Sequence, residues 1–385
     1  MTVETVSLGC RLNFAEVETI ARTVPKGEHW VVVNSCSVTN EAVRQTRQAI
    51  RHAHRRRPDA RILVTGCAAE LDLTSFERMP EVARVVGNAG KLRAFDAKTS
   101  SVAAGSHSQV RSFVAIQNGC DHRCTFCSIW QARGASVSLP FEAIRAAILR
   151  ELDRGAKEIV LTGVDITDYN GGLGKLCQRL LSAEPRLKRL RLSSLDSIEI
   201  DDALFELLPD ERLMPHFHLS LQAGDDMVLK RMKRRHSRAQ AVAAVERIKA
   251  VRPNATIGAD ILAGFPTETE DMAANSLKLL DDCDIIAAHV FPFSPRPDTP
   301  AARMPQLDRK VVKARAASLR VAAQERRERW LDTLIGTSLT VLMENGGKGH
   351  SDSFAPVALP GVARGELLTV RITGRDGDRL VGVRA

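Results

Sequence analysis

The feature that most constrains the fold is a regular alternation of short apolar runs and longer amphipathic stretches. Runs at Val3–Leu8, Trp30–Val33, Arg61–Thr65 and Val82–Val86 read as strands, and helical patterns fall at about Phe14–Val24 and Asn40–His54. Strands alternating with helices imply a parallel sheet with right-handed crossovers. The alternation resumes near residue 110 with six further units. Their strands are expected at Phe113–Gln117, Glu158–Thr162, Leu190–Ser194, Phe217–Leu221, Ile257–Leu262 and Ile286–Val290, separated by helical patterns such as Phe141–Arg154 and Arg238–Val251. Six units predict an incomplete (β/α) barrel with its chemistry at the carboxyl ends of the strands.

Residues 97–108 are small and polar and suit a linker. An amphipathic helix at about Asp308–Leu334 closes the second block. The glycine-rich tail carries β-type runs at Ser338–Met343, Leu367–Ile372 and Leu380–Val383, which predict a small β-barrel. The expected architecture is therefore α/β, with a parallel α/β domain at 1–96, a partial (β/α)6 barrel at 108–334 and a β-barrel at 335–385. At 44% hydrophobic and 26% charged residues the chain is globular with a real core. The start, Met-Thr-Val-Glu-Thr-Val-Ser-Leu-Gly-Cys, lacks a basic region followed by an apolar one, and no run of about 18 apolar residues offers a membrane span. The cytoplasm is the expected compartment. There, eight cysteines bind metal or carry catalysis more often than they form disulfides.

Six of the eight are placed for metal. Cys120-Asp-His-Arg-Cys124-Thr-Phe-Cys127 follows the first barrel strand, and three thiolates on one short loop can hold three irons of a [4Fe–4S] cluster. The fourth iron is then open to a substrate or cofactor. A zinc site is the competing reading and needs a fourth ligand nearby; His122 is available but points poorly from inside the loop. Cys10, Cys36 and Cys67 each sit just past the carboxyl end of a strand in the first sheet. Ligands collect at that edge of an open α/β sheet, and neighbouring strands lie about 4.8 Å apart, so these three thiols can meet around a second cluster. Three unrelated buried cysteines are the alternative. Cys177 and Cys283 fall in helical stretches and read as packing residues.

With six cysteines so arranged, the chain resembles the methylthiotransferase family of radical S-adenosylmethionine (SAM) enzymes over essentially its whole length. Matching stretches include Leu-Thr-Gly-Val-Asp (161–165), Leu-Ser-Ser-Leu-Asp (192–196), His-Leu-Ser-Leu-Gln-Ala-Gly (218–224), Leu-Lys-Arg-Met-Lys-Arg (229–234), Gly-Ala-Asp-Ile-Leu-Ala-Gly-Phe-Pro-Thr-Glu-Thr (258–269) and His-Val-Phe-Pro-Phe-Ser-Pro-Arg (289–296). The resemblance implies an N-terminal cluster domain, a radical SAM barrel and a C-terminal TRAM domain, with two [4Fe–4S] clusters and SAM as cofactors. It implies that the cluster on Cys120, Cys124 and Cys127 cleaves SAM, and that the one on Cys10, Cys36 and Cys67 presents the sulfur. Phe126 matches an apolar position near the SAM adenine, and Gly163, Ser194 and Gln222 are candidate SAM contacts. Radical hydrogen abstraction demands no side-chain general base, so none is nominated.

The stretches Val-Asn-Ser-Cys-Ser-Val-Thr-Asn (33–40) and Val-Thr-Gly-Cys (64–67) look like the branch that modifies N6-threonylcarbamoyladenosine at tRNA position 37. Branches acting on isopentenyladenosine or on a ribosomal-protein aspartate are the alternatives, and a non-catalytic metal- and RNA-binding protein is a remoter one. The partners implied are a tRNA anticodon stem–loop, an electron donor and a sulfur source, with no membrane. The chain departs from the family pattern at Gln131, where an aromatic is usual nearby, at 135–138, which lack arginines, and at Thr267, where glycine is usual. A net charge of +9 agrees with a polyanionic partner. Basic runs at Arg51–Arg57, Lys230–Arg238 and Arg326–Arg329 are either RNA contacts or solvated helix faces. Aromatics are only 4%, which favours phosphate and shape contacts over base stacking.

Overall fold

The computed structural model describes residues 3–24, 28–93, 104–108 and 110–385. It begins with β1 (Glu4–Ser7), α1 (Arg11–Thr23), β2 (Trp30–Ser35), α2 (Asn40–Arg56), β3 (Arg61–Gly66), α3 (Cys67–Leu71), α4 (Leu73–Glu77) and β4 (Arg84–Val85). The four strands form one parallel sheet in the order β1-β2-β3-β4. Every residue of β2 is buried, as a parallel sheet covered on both faces requires. Val31, Val33, Ile62 and Val64 face Ile50, Ala53 and Phe76 of α2 and α4, while Trp30, Val32 and Leu63 face Val17 and Ile20 of α1. The helix α2 starts where the Thr39 hydroxyl accepts from the Ala42 N–H, and His54, Arg55 and Arg56 in its last turn complement its dipole.

The central segment runs β5 (Ala104–Ser108), β6 (Arg111–Ala115), β7 (Gln117–Asn118), α5 (Ile129–Arg133), β8 (Val137–Ser138), α6 (Phe141–Asp153), β9 (Glu158–Thr162), α7 (Leu173–Ala183) and β10 (Leu190–Leu192). It continues through α8 (Asp202–Leu207), β11 (His216–Gln222), α9 (Asp226–Met232), α10 (Arg238–Val251), β12 (Thr256–Ala263), α11 (Glu270–Asp282), β13 (Ile285–Pro292) and α12 (Arg309–Thr333). Parallel strands β6, β9 and β10 form one half of the barrel wall and β11, β12 and β13 the other, joined only by isolated bridges at Leu190–Leu213 and Leu195–Leu219. The wall is thus an open (β/α)6 barrel, as expected. Strand alternation sorts its side chains. Val114, Ile159, Leu161, Leu190, Phe217, Leu219, Ile257 and Ile261 point outward into one large core with the helices. The intervening Arg111, Phe113, Glu158, Val160, Arg191, His216, His218, Asp260 and His289 face the lumen. Leu12 and Ala15 of α1 pack on lumen-facing Phe113, Ala115 and Val160, which anchors the N-terminal unit against the first barrel strands.

The last five strands, β14 (Ser338–Asn345), β15 (Lys348–Ser351), β16 (Pro356–Ala358), β17 (Leu367–Asp376) and β18 (Arg379–Arg384), close a small barrel around Val341, Met343, Val357, Val370 and Leu380. Sequence reasoning missed β15 and β16, which are short, β15 being polar and β16 adding only Val357 to the core. It also read 97–108 as a linker. Instead, Ala104–Ser108 is β5, paired antiparallel to β6, because a run of small residues fits the edge of a sheet; the remainder of that stretch lies outside the described residues.

Candidate metal centre

Each N-terminal cysteine stands where a strand gives way to a helix. Cys10 caps α1 after β1, Cys36 follows β2, and Cys67 opens α3 directly after β3. Two glycines make the turns. Gly9 has φ +89°, and a Cβ there would stand 2.5 Å from Cys36 Sγ; Gly66 has φ +95° and lies against the Ser35 backbone. The three thiols are electrostatic neighbours: Cys67 acts on Cys10, and both act on Cys36. The sequence thus brings Cys10, Cys36 and Cys67 to one edge of one sheet. Cys10 keeps exposed surface although protein crowds it, so it lines a concave opening.

The second trio occupies the loop between β7 and α5. That loop is pinned by hydrogen bonds from Cys120 N to Gly134 O (3.1 Å), from Thr125 N to Met232 O (3.0 Å) and from Thr125 Oγ1 to Arg231 O (2.8 Å). Backbone N–H groups point at sulfur in both trios, Val38 at Cys36 (3.5 Å) and Ile129 at Cys127 (3.4 Å). Arg234 reaches Cys124 Sγ at 3.7 Å. Burial pushes Cys10 up, Cys120 to about 11, and Cys36 and Cys127 to about 12. These thiols hold their protons until a metal displaces them.

One buried side chain of the barrel reaches the N-terminal trio. Arg133, the last residue of α5, donates to Cys67 Sγ (3.2 Å), to both Glu16 oxygens (2.8 and 3.0 Å), to Asn118 Oδ1 (2.8 Å) and to Asn13 Oδ1 (2.7 Å). Lys91 adds a second cation 2.6 Å from Glu16. Burial opposes the charge on Glu16, but Arg133 and Lys91 overcome it and hold the carboxyl down at about 2. Asn88 donates to Ala132 O at 2.6 Å, and Asn40 meets Arg296 at 2.5 Å, so the N-terminal unit is latched to the barrel at its cysteine edge. Cys67 is close enough to act on Cys127. The two trios are therefore neighbours at this edge.

The donor sets fit iron–sulfur clusters. Each trio supplies three soft sulfurs, N–H donors and an arginine, while the remaining Cys177 and Cys283 are buried in the outer core. His122, the fourth ligand that zinc would need, is engaged by carboxylates: its Nε2 lies 3.0 Å from Asp165 and 3.4 Å from Glu199, and the hydrogen bond to Asp165 raises its pKa, although its spacing with Cys120 and Asp165 suits a metal ion. A cavity of about 300 Å³ between α11 and α12 contains none of the cysteines.

The candidate SAM contacts gather on the same side. Phe126 packs against the apolar group of Ala223, Val228, Leu229 and Phe265. Gly163 lies one residue past β9, where a Cβ would stand 2.8 Å from Gln117 O. Ser194 is half-buried just beyond β10. Gln222 ends β11 at φ +68°, where the register slips between Leu219 and Gln222. Sequence reasoning missed Arg133, Glu16, Lys91 and Asn13. The available signal was a polar stripe, Asn13, Glu16 and Thr19, on the otherwise apolar buried face of α1. The basic run Lys230–Arg238 is divided: Arg231 bonds Thr267 O, Arg234 pairs with Asp196 and Arg238 with Asp282, while Lys230, Lys233 and Arg235 are exposed, Arg235 pairing with Glu199. At Arg51–Arg57, Arg56 and Arg57 pair with Glu4, and Arg326 pairs with Asp281 and Asp284.

An open (β/α)6 barrel with a Cys-x3-Cys-x2-Cys loop above its first strand defines a radical SAM protein. The model of the radical SAM superfamily matches residues 114–280, and that of the uncharacterized protein family UPF0004 matches residues 2–87. The threonylcarbamoyladenosine tRNA methylthiotransferase MtaB of Rickettsia prowazekii is 41% identical, over 96% of this chain and 94% of that protein. The tRNA-2-methylthio-N(6)-dimethylallyladenosine synthase of Erythrobacter litoralis is 31% identical over 99% and 96%. Among solved structures, the radical S-adenosylmethionine methyltransferase TsrM of Kitasatospora setae, with cobalamin and a [4Fe-4S] cluster bound, shares the fold. It has a TM-score of 0.58 at 14% identity, over 78% of this chain and 77% of that one. The chain belongs to the radical SAM methylthiotransferase family.

Proposed function

We propose that this chain transfers a methylthio group to C2 of N6-threonylcarbamoyladenosine at position 37 of tRNA, in the cytoplasm. The observation that carries the reading is the proximity of the two cysteine trios, with Arg133 of the barrel on Cys67. Cys120, Cys124 and Cys127 would hold one [4Fe–4S] cluster and Cys10, Cys36 and Cys67 the other, three thiolates for each. The chemistry such clusters supply is one-electron cleavage of SAM at the first and sulfur delivery at the second. The chain's own residues place and insulate these groups. Phe126, Gly163, Ser194 and Gln222 line the SAM side at the strand ends. Arg133 and Arg234 donate to Cys67 Sγ and Cys124 Sγ, where they would offset the negative charge of the clusters. Leu12 and Ala15 close the gap between the units and exclude water. The three modules divide at 1–96, 108–334 and 335–385. An anticodon stem–loop, an electron donor and a sulfur source complete the system.

The test is anaerobic incubation of the reconstituted, reduced protein with SAM, sulfide and anticodon stem–loops. The loops carry adenosine, dimethylallyladenosine or threonylcarbamoyladenosine. Mass analysis should show methylthio gain on the last alone. Gain on the dimethylallyl loop would move the protein to that branch, and 5′-deoxyadenosine with no modified RNA would point to a protein substrate.

A further inference from the structure

We infer that the barrel lumen beneath the two cysteine trios is a receptor for the polar N6 substituent of the substrate base, with Arg11 binding its carboxylate and His289 accepting from its hydroxyl or ureido N–H. This rests on the function proposed above and names the groups that read the substrate.

Arg11 opens α1 next to Leu12, whose side chain packs on lumen-facing Phe113, Ala115 and Val160. The charges that bear on its guanidinium are those of Arg111, Arg191, Glu158 and Asp260, and Arg11 in turn acts on His216. All five are lumen residues, so the guanidinium projects into the barrel. The lumen-floor arginines already have counter-ions. Glu158 receives Arg111 at 2.6 Å, Arg191 at 2.8 Å and Arg189 at 3.0 Å, Glu344 also pairs with Arg111 at 2.8 Å, and Asp352 pairs with Arg189. Arg11 makes no hydrogen bond and no ion pair among the described residues. A crowded guanidinium without a counter-ion is costly to keep, and its planar fork matches a carboxylate.

Higher in the lumen, Asp260 Oδ1 lies 3.0 Å from His218 Nε2 and 3.3 Å from His289 Nδ1, with the two rings 4.6 Å apart. His218 is nearly covered, whereas the His289 side chain is 61% exposed and is the ring on offer to a ligand. An ionised Asp260 accepts from both rings. With Nδ1 of His289 turned to Asp260, Nε2 is the ring atom left to face a ligand. The same three residues have the spacing of a divalent-metal site, but the positive charge of Arg11 beside Asp260 opposes a cation there.

The substrate's shape fits this placement. C2 and C6 flank N1 on one edge of the purine six-membered ring, and their exocyclic bonds diverge. With C2 turned to the cysteines at the strand ends, the N6 substituent is directed away from them at an angle, into the lumen where Arg11 and His289 lie. An apolar dimethylallyl group in that position would strip water from the guanidinium and the imidazole without replacing it, which selects against it.

The experiment compares stem–loops carrying threonylcarbamoyladenosine with loops carrying its methyl ester. The readouts are loop affinity without SAM, and KM and kcat separately, for wild-type, Arg11→Gln, Arg11→Lys and His289→Phe proteins. Wild type should prefer the free acid by at least about tenfold in affinity and in kcat/KM. Arg11→Gln should bind acid and ester alike, Arg11→Lys should keep part of the preference, and His289→Phe should raise KM for both. Iron and sulfide counts report whether each variant keeps its clusters, and the wild-type ester comparison decides even where a variant does not. Equal treatment of acid and ester by wild type, or a preference that survives in Arg11→Gln, overturns the inference alone. A wild-type protein that modifies only the dimethylallyl loop overturns the functional reading as well.

Discussion

At the scale of residues, the decisive group is a carboxylate that the cysteines never touch. Glu16 is 3% exposed and sits between Arg133 and Lys91, and Arg133 in turn holds Cys67. Removing its charge would leave two cations buried without a counter-ion, a situation that costs roughly 3–5 kcal/mol. Glu16→Gln should therefore lower the denaturation midpoint by that order. The same group sets an acid limit. Its pKa falls from 4.5 to about 2 on folding, so its contribution is complete above pH 4.5 and is lost as pH drops toward 2, on the order of 3 kcal/mol in all. Urea unfolding between pH 6 and pH 3 should show this loss in wild type and a flatter profile in Glu16→Gln. The six cysteines were legible from sequence because their places after strands and in one tight loop follow local rules. The Glu16–Arg133–Lys91 cluster was not, because its members come from three distant segments and meet only through tertiary packing.

At the scale of elements, the alternation of β-branched runs and amphipathic helices located every barrel strand, since each buries one face on the helices and the pattern is local. Elements with little apolar side chain to bury, such as β5, β15 and β16, left no such trace. The turn after β12 shows the opposite case, a sequence anomaly with a structural cost. Thr267, where glycine is usual, stands at φ +67°, and its Oγ1 is buried without a hydrogen-bond partner. A β-branched residue in the left-handed region is strained by about 1–2 kcal/mol, partly offset by the chain entropy that glycine would add to the unfolded state. Thr267→Gly should raise stability by roughly 0.5–1.5 kcal/mol, read as a higher thermal midpoint. A lower midpoint would mean that the threonine methyl contributes packing that outweighs the strain.

At the scale of the whole molecule, the C-terminal barrel docks on the strand-starting end of the radical SAM barrel, away from the cysteines. Glu344 pairs with Arg111 at 2.8 Å, Ser353 O accepts from Thr256 Oγ1 at 2.9 Å, and Asp352 pairs with Arg189. Phe354 stacks between His216 (5.2 Å) and His350 (4.6 Å), with Arg191 over its face at 4.8 Å. This docking covers residues of the lumen floor, Arg111, Arg191 and His216 among them. Phe354→Ala should cost about 2–4 kcal/mol and open a new protease site after α12. None of this docking was readable from sequence, because interfaces between modules follow no local period.

The central claim is that two separate thiol trios serve one reaction. Anaerobic iron and sulfide counting on wild-type and Cys36→Ala proteins, with SAM cleavage and RNA products followed in the same samples, tests it most directly. The expected result is about eight irons in wild type and about four in Cys36→Ala, with deoxyadenosine still formed and methylthio transfer abolished. Equal iron in both proteins, or full methylthio transfer by Cys36→Ala, would contradict the account.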